Sequence, residues 1–73
     1  MPYPTIADLP PALRNRLPVH AQEIYRGAFN NAWQSYGTRA DREEIAHRVA
    51  WAAVKLRYRK AGAHWVPIGG ALT

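Results

Sequence analysis

Between residues 19 and 36 the chain reads VHAQEIYRGAFNNAWQSY, with apolar positions recurring in steps of three and four. Ala21, Ile24, Tyr25, Ala28, Phe29, Ala32, Trp33 and Tyr36 draw one broad stripe at about 100° per residue. Gln22, Glu23, Arg26, Asn30, Asn31 and Gln34 fall opposite. The pattern predicts an amphipathic helix, with Gly37 supplying the left-handed residue that closes it.

The next apolar run behaves differently. Asp41 followed by Glu44 resembles a capping box, and the spacing predicts a helix from there to about Ala61, stopped by Gly62. Ile45, Val49, Ala52, Ala53 and Leu56 make one face of it. Trp51, Val54 and Tyr58 make a second, roughly opposite, with His47 among them. Such a helix is central and packed on both sides. One side should receive the stripe of the preceding helix, and the other should be covered by the two ends of the chain.

Five of the six prolines fall in the first 18 residues. Pro2 and Pro4 hold an extended arm around Tyr3 and Ile6. Pro10 and Pro11 suit the first turn of a short helix whose Leu9, Leu13 and Leu17 share a face, and Pro18 ends it. The tail HWVPIGG is strand-like around Trp65, Val66 and Ile68. The reading is therefore mainly α: a compact three-helix domain over residues 1–73, one helix short and two long. A small two-stranded antiparallel sheet should form where the N-terminal arm meets the C-terminal tail. The last residues, GGALT, read as a frayed end.

At 8.2 kDa the chain is expected to be one domain. A domain of this size buries only about 60% of the surface its unfolded chain exposes, leaving little volume for a substrate cavity. There are no cysteines, so disulfides and thiolate metal sites are excluded. No apolar run approaches the roughly 20 residues that span a bilayer, and the first 15 residues lack the layout of an export signal. A cytoplasmic protein without direct membrane insertion is the expectation.

Net charge is +5, and its location changes the picture. Up to residue 44 five arginines balance five acids; after it come Arg48, Lys55, Arg57, Arg59 and Lys60 with no acid at all. Acids early and bases late also suit the dipole of the last helix. On that helix Arg48, Lys55 and Arg59 lie within about 40° of one another, a basic seam suited to nucleic-acid phosphates or an acidic partner. The alternative is a solvated face whose stems lie over neighbouring aromatics.

No catalytic constellation emerges. Ser35 has no triad geometry, and neither a dinucleotide nor a P-loop glycine motif is present. Glu44 and His47 have the spacing of a carboxylate-bridged metal helix, but a di-metal site needs two such pairs, and only five acids exist. Glu44 reads better as a cap, and His20 and His47 as packed rings turned toward water or a backbone carbonyl. No metal or cofactor is expected. Most of the aromatic residues belong to the core; Tyr3 and Trp65, on the arms, are left open as stacking platforms.

MPY at the start, DLP at 8–10, LPVHAQEIYRGAFNNAW at 17–33, REEIAHRVAWAAVK at 42–55 and HWVP at 64–67 resemble the ChaB family, proteins proposed to regulate cation transport. The resemblance covers nearly the whole chain in the family's order. It implies three helices with a small antiparallel sheet, likened to a cyclin box, and a regulatory role toward a calcium/proton antiporter, with no agreed catalytic residues. The GTRAD loop is shorter here than in some members. Some relatives are joined to nucleic-acid-binding modules. The expectation is a non-enzymatic interaction module with a protein partner, the cytoplasmic face of a cation antiporter for example. The alternative is a small basic nucleic-acid-binding protein using Arg48, Lys55 and Arg59. The sequence leaves the oligomeric state open.

Overall fold

A computed structural model describes residues 2–68. A 3₁₀ turn, Ile6–Asp8, is followed by α1 (Pro11–Arg16), α2 (Val19–Ser35), α3 (Arg42–Lys55), β1 (Tyr58–Ala61) and β2 (His64–Pro67). Three helices, one short and two long, with a two-stranded antiparallel sheet agree with the class read from the sequence. The frayed end expected at residues 69–73 lies outside the described residues.

Pro11 opens α1, where its missing N–H costs nothing. Leu9, Leu13 and Leu17 all reach the core. From α2 come Ala21, Tyr25, Phe29 and Ala32, and from α3 Ala46, Ala50 and Val54, with Tyr58 completing the set. Tyr25 and Phe29 of α2 meet the rings of Trp51 and His47 on α3, with Ala46 and Ala50 buried in the same core. Arg42 fastens the connection between them: its Nε donates to the Trp33 carbonyl at 2.8 Å and its guanidinium lies 3.9 Å from the Trp33 ring centroid.

Gln22 was placed on the polar face, yet it is buried. Its amide donates to the carbonyls of Leu17, at 2.8 Å, and Arg14, at 3.3 Å, satisfying acceptors that the end of α1 leaves open. Gly37 does not close α2 in the left-handed region. Tyr36 is the C-cap at φ −109°, and among the described residues the positive φ belongs to Gly62, at 63°. Asp41 precedes α3 but makes no side-chain cap.

The strands of the sheet are not the arm and the tail. β1 pairs with β2 in a hairpin, Tyr58 opposite Pro67 and Ala61 opposite His64. α3 therefore ends at Lys55 rather than near Ala61, and Gly62 takes the first loop position with the sign of φ that a II′ turn requires. The arm finds a different partner. The Tyr3 amide donates to Asn30 Oδ1 at 2.8 Å while Asn30 Nδ2 donates to the Tyr3 carbonyl at 2.9 Å. One side chain on α2 thereby replaces a strand, and the Tyr3 ring packs on Phe29 at 4.8 Å.

α3 is covered on one side only. The side carrying Val54, Tyr58, His47 and Trp51 turns inward, and Trp65 of β2 lies on Trp51 at 5.3 Å. The face of Ile45, Val49, Ala52, Ala53 and Leu56, expected to receive α2, stays largely open: Ile45 and Ala53 are half-buried, but Val49 is 38% and Leu56 81% exposed. The meeting line runs through Ala46, Ala50 and Val54, between the two predicted faces.

Candidate functional site

The five cations singled out in the sequence sit along α3 and the hairpin that follows it. Arg48 is on the exposed flank of α3, with Nη2 3.3 Å from Glu44 Oε2 one turn earlier. Both side chains are largely exposed, so the pair contributes less than about 1 kcal/mol and can exchange partners freely. Lys55 is the last residue of α3, Arg57 sits in the turn, and Arg59 and Lys60 belong to β1. All five are exposed. Because the helix stops before Arg59, the predicted seam is broken. Arg48 and Lys55 remain aligned, two turns or about 10 Å apart, whereas strand alternation sends Arg59 and Lys60 to opposite faces of the hairpin. Among the described residues, Lys55, Arg57, Arg59 and Lys60 have no ion-pair partner.

The other end of α3 has the opposite sign. Asp41, Glu43 and Glu44, with Ala40 and His47, line an open depression of ≈ 500 Å³. Arg39 donates to the Asp41 carboxylate from Nε at 3.0 Å and Nη2 at 3.3 Å. These hydrogen bonds hold the Asp41 carboxyl below the usual carboxylate range and raise Arg39 in turn.

An aromatic cluster lies between the two ends. Tyr25 hydrogen-bonds through its hydroxyl to His47 Nδ1. Phe29 stands edge-on to His47 at 4.9 Å and Trp51 edge-on to Tyr25 at 5.4 Å. Burial, and secondarily the neighbouring Tyr3, push the Tyr25 pKa well above the ordinary tyrosine value. Tyr25 therefore keeps its proton, and with Nδ1 turned to that hydroxyl the other ring nitrogen of His47 is Nε2. That nitrogen faces Glu43 Oε2 at 3.9 Å. The Glu44–His47 pairing suggested by spacing does not form, since Glu44 turns to Arg48. His20 likewise meets a tyrosine hydroxyl, that of Tyr58, at 3.1 Å, rather than a backbone carbonyl. Both histidines act as polar bridges between elements. Sequence reasoning missed these pairs because each partner lies more than 20 residues away. Among the described residues no three His, Asp or Glu side chains gather in a group able to hold a metal ion. No described helix is long and apolar enough to cross a membrane. Tyr3 and Trp65, open as stacking platforms in the sequence, lie against Phe29 and Trp51.

The sequence profile of the ChaB family matches residues 9–67, which takes in every element from α1 to β2. The chain belongs to the ChaB family. The "Putative cation transport regulator ChaB" of Escherichia coli strain K12 is 53% identical over 66 residues, covering 82% of this chain and 87% of that protein. The protein of the same name from Shigella flexneri is similar to the same extent. A solved ChaB, "NMR solution structure of the putative cation transport regulator ChaB", superposes with a TM-score of 0.81 at 49% identity, over 90% of this chain and 97% of that one. The ChaB match includes Arg48, Lys55, Arg57, Arg59 and Lys60 within its span, so the basic hairpin is part of the family's domain and not an appendage.

Proposed function

We propose that this protein is a non-enzymatic regulator of cation transport, working from the cytoplasm as one domain through contacts with a protein partner. The observation that carries this reading is the kinship, over most of both chains, with proteins named as cation transport regulators. The partner in this reading is the cytoplasmic face of a calcium/proton antiporter. Exposed cations at the end of α3 and on β1 offer it an anion-seeking surface, with Arg48, Lys55, Arg57, Arg59 and Lys60 as the contact residues. Cross-linking in the source cell followed by mass spectrometry is the test. A cation antiporter recovered with the wild type, and lost when the five cations are changed to glutamate, is the expected result; recovery of no transporter would end this reading.

A second reading has its own support: Lys55, Arg57, Arg59 and Lys60 have no ion-pair partner among the described residues. Such a cluster suits nucleic-acid phosphates, with affinity falling steeply as salt rises. Titration of labelled DNA and RNA at two salt concentrations is the test: saturable binding that weakens steeply as salt rises supports this reading, and no binding at the lower salt ends it.

A further inference from the structure

The open face of α3 has the dimensions and chemistry of a helix-binding groove. Ile45, Val49, Ala52 and Leu56 follow one another at steps of four, three and four, the spacing of a seam that takes a second helix. They extend over about 16 Å, three helical turns. Beside Val49 the surface is recessed: Ala28, Ala32 and Ser35 of α2, with its C-cap Tyr36, form the far wall of a depression of ≈ 250 Å³. Its floor of short side chains admits a bulky apolar group from outside. Leu56 is 81% exposed and Val49 38%, two of the five large apolar side chains left exposed among the described residues, the others being Val19, Tyr36 and Ile68.

Charge around the groove selects among occupants. One rim is cationic, formed by Arg48 and Lys55, which flank the apolar stripe on the side away from α2. Arg48 is held only by an exposed pair with Glu44, and Lys55 has no ion-pair partner among the described residues. The opposite rim, Asn31 and Ser35, is uncharged. A second copy in antiparallel register would set Arg48 and Lys55 against the same two residues of its neighbour, on a chain already carrying +5. A lipid surface is matched by protruding apolar side chains, whereas here the centre of the patch is sunken.

We propose that this groove binds an amphipathic helix of a partner protein, with apolar residues seated along Ile45–Val49–Ala52–Leu56 and acidic residues against Arg48 and Lys55. The proposal deepens the reading of this protein as a regulator acting by protein contact, and rests on it.

The probe is a synthetic helical peptide of about 18 residues, carrying leucines at the four-three-four spacing with glutamates on one flank, titrated into the full-length isotope-labelled protein. The expected result is saturable shift changes confined to Ala28, Ala32, Val49, Ala52 and Leu56. Leu56→Asp should weaken binding about tenfold or more. Lys55→Glu should weaken it about fivefold and improve binding of the same peptide with lysines in place of glutamates. Because Leu56 is so exposed, its variant should melt like the wild type, which separates lost binding from lost folding. The proposal is overturned if the peptide does not saturate or if the lysine peptide binds equally well. It is also overturned if sedimentation shows a dimer that Leu56→Asp dissolves, or if vesicles of anionic lipid occupy the same residues in preference. The two levels fail separately: an antiporter captured equally well by Leu56→Asp would sink the groove and leave the regulator reading standing, while capture of no transporter by the wild type would sink the reading itself.

Discussion

The two sides of α3 are built from similar residues and have opposite fates. Ala46, Ala50 and Val54 are fully buried in the cluster that holds Tyr25 and Phe29, while Val49, Ala52 and Leu56, about 130° further round the same helix, face outward. Hydropathy does not separate them, since the outward side holds the larger aliphatics. What separates them is what α2 presents: its Tyr25 and Phe29 rings pair with Trp51 and His47, and that side of α3 turns inward with them.

The sharpest way to break the comparison is to remove the ring that decides it. Phe29→Ala should cost about 3–5 kcal/mol, most of the stability available to a domain of this size, and urea or thermal unfolding followed by circular dichroism will show an unfolded or barely folded chain. Enlarging one alanine on each side sharpens the contrast. Ala50→Leu should cost about 1–3 kcal/mol through overpacking, whereas Ala52→Leu should stay within about 0.5 kcal/mol; equal effects in the same melting experiment would mean that both sides are packed.

Alkaline pH probes two tyrosines whose pKa burial raises, Tyr25 on the inward side and Tyr3 on the arm. Tyr25 has a folded-state pKa raised by burial above the ordinary value, near 10, that it regains on unfolding. Its contribution is therefore complete below about pH 10 and is lost as pH rises toward the folded value, at up to about 1.4 kcal/mol per pH unit. Urea midpoints measured between about pH 9 and pH 11 should fall, and Tyr25→Phe should flatten that fall. The smallest effect belongs to the outward side: Leu56→Asp should change stability by less than about 0.5 kcal/mol, and a larger loss in denaturant titration would mean that Leu56 is covered in the free protein.

Much of this was legible in the chain. The stripe from Ala21 to Trp33, the leucines at 9, 13 and 17 and the proline that opens α1 all acted as their spacing required, because each depends on local periodicity; Tyr36, the last of the stripe, is exposed. The end of α3 was not legible, for a definite reason. Tyr58 stands four residues after Val54 and eight after Ala50, so it keeps helical phase while already in β1, and it points inward under either assignment. The strand pairing failed for another reason. Arm and tail both have strand composition, but the hydrogen bonds of Tyr3 go to the Asn30 side chain, a partner that no periodicity announces. For the candidate site, the cluster of five bases was plain in the sequence, yet its line was not, since Arg59 left the helix with Tyr58. The groove beside Val49 was hidden by the assumption that every apolar face is covered.

The order of charges along α3 has a kinetic consequence. Acids occupy its first turn and cations follow its last, and these full charges outweigh the partial charges of the backbone. The molecule is therefore an electric dipole that turns in the field of an anionic target before touching it, hairpin foremost. Added salt shortens the reach of that field to about 10 Å at 0.1 M, so encounter should slow with ionic strength while the lifetime of a complex already formed changes little.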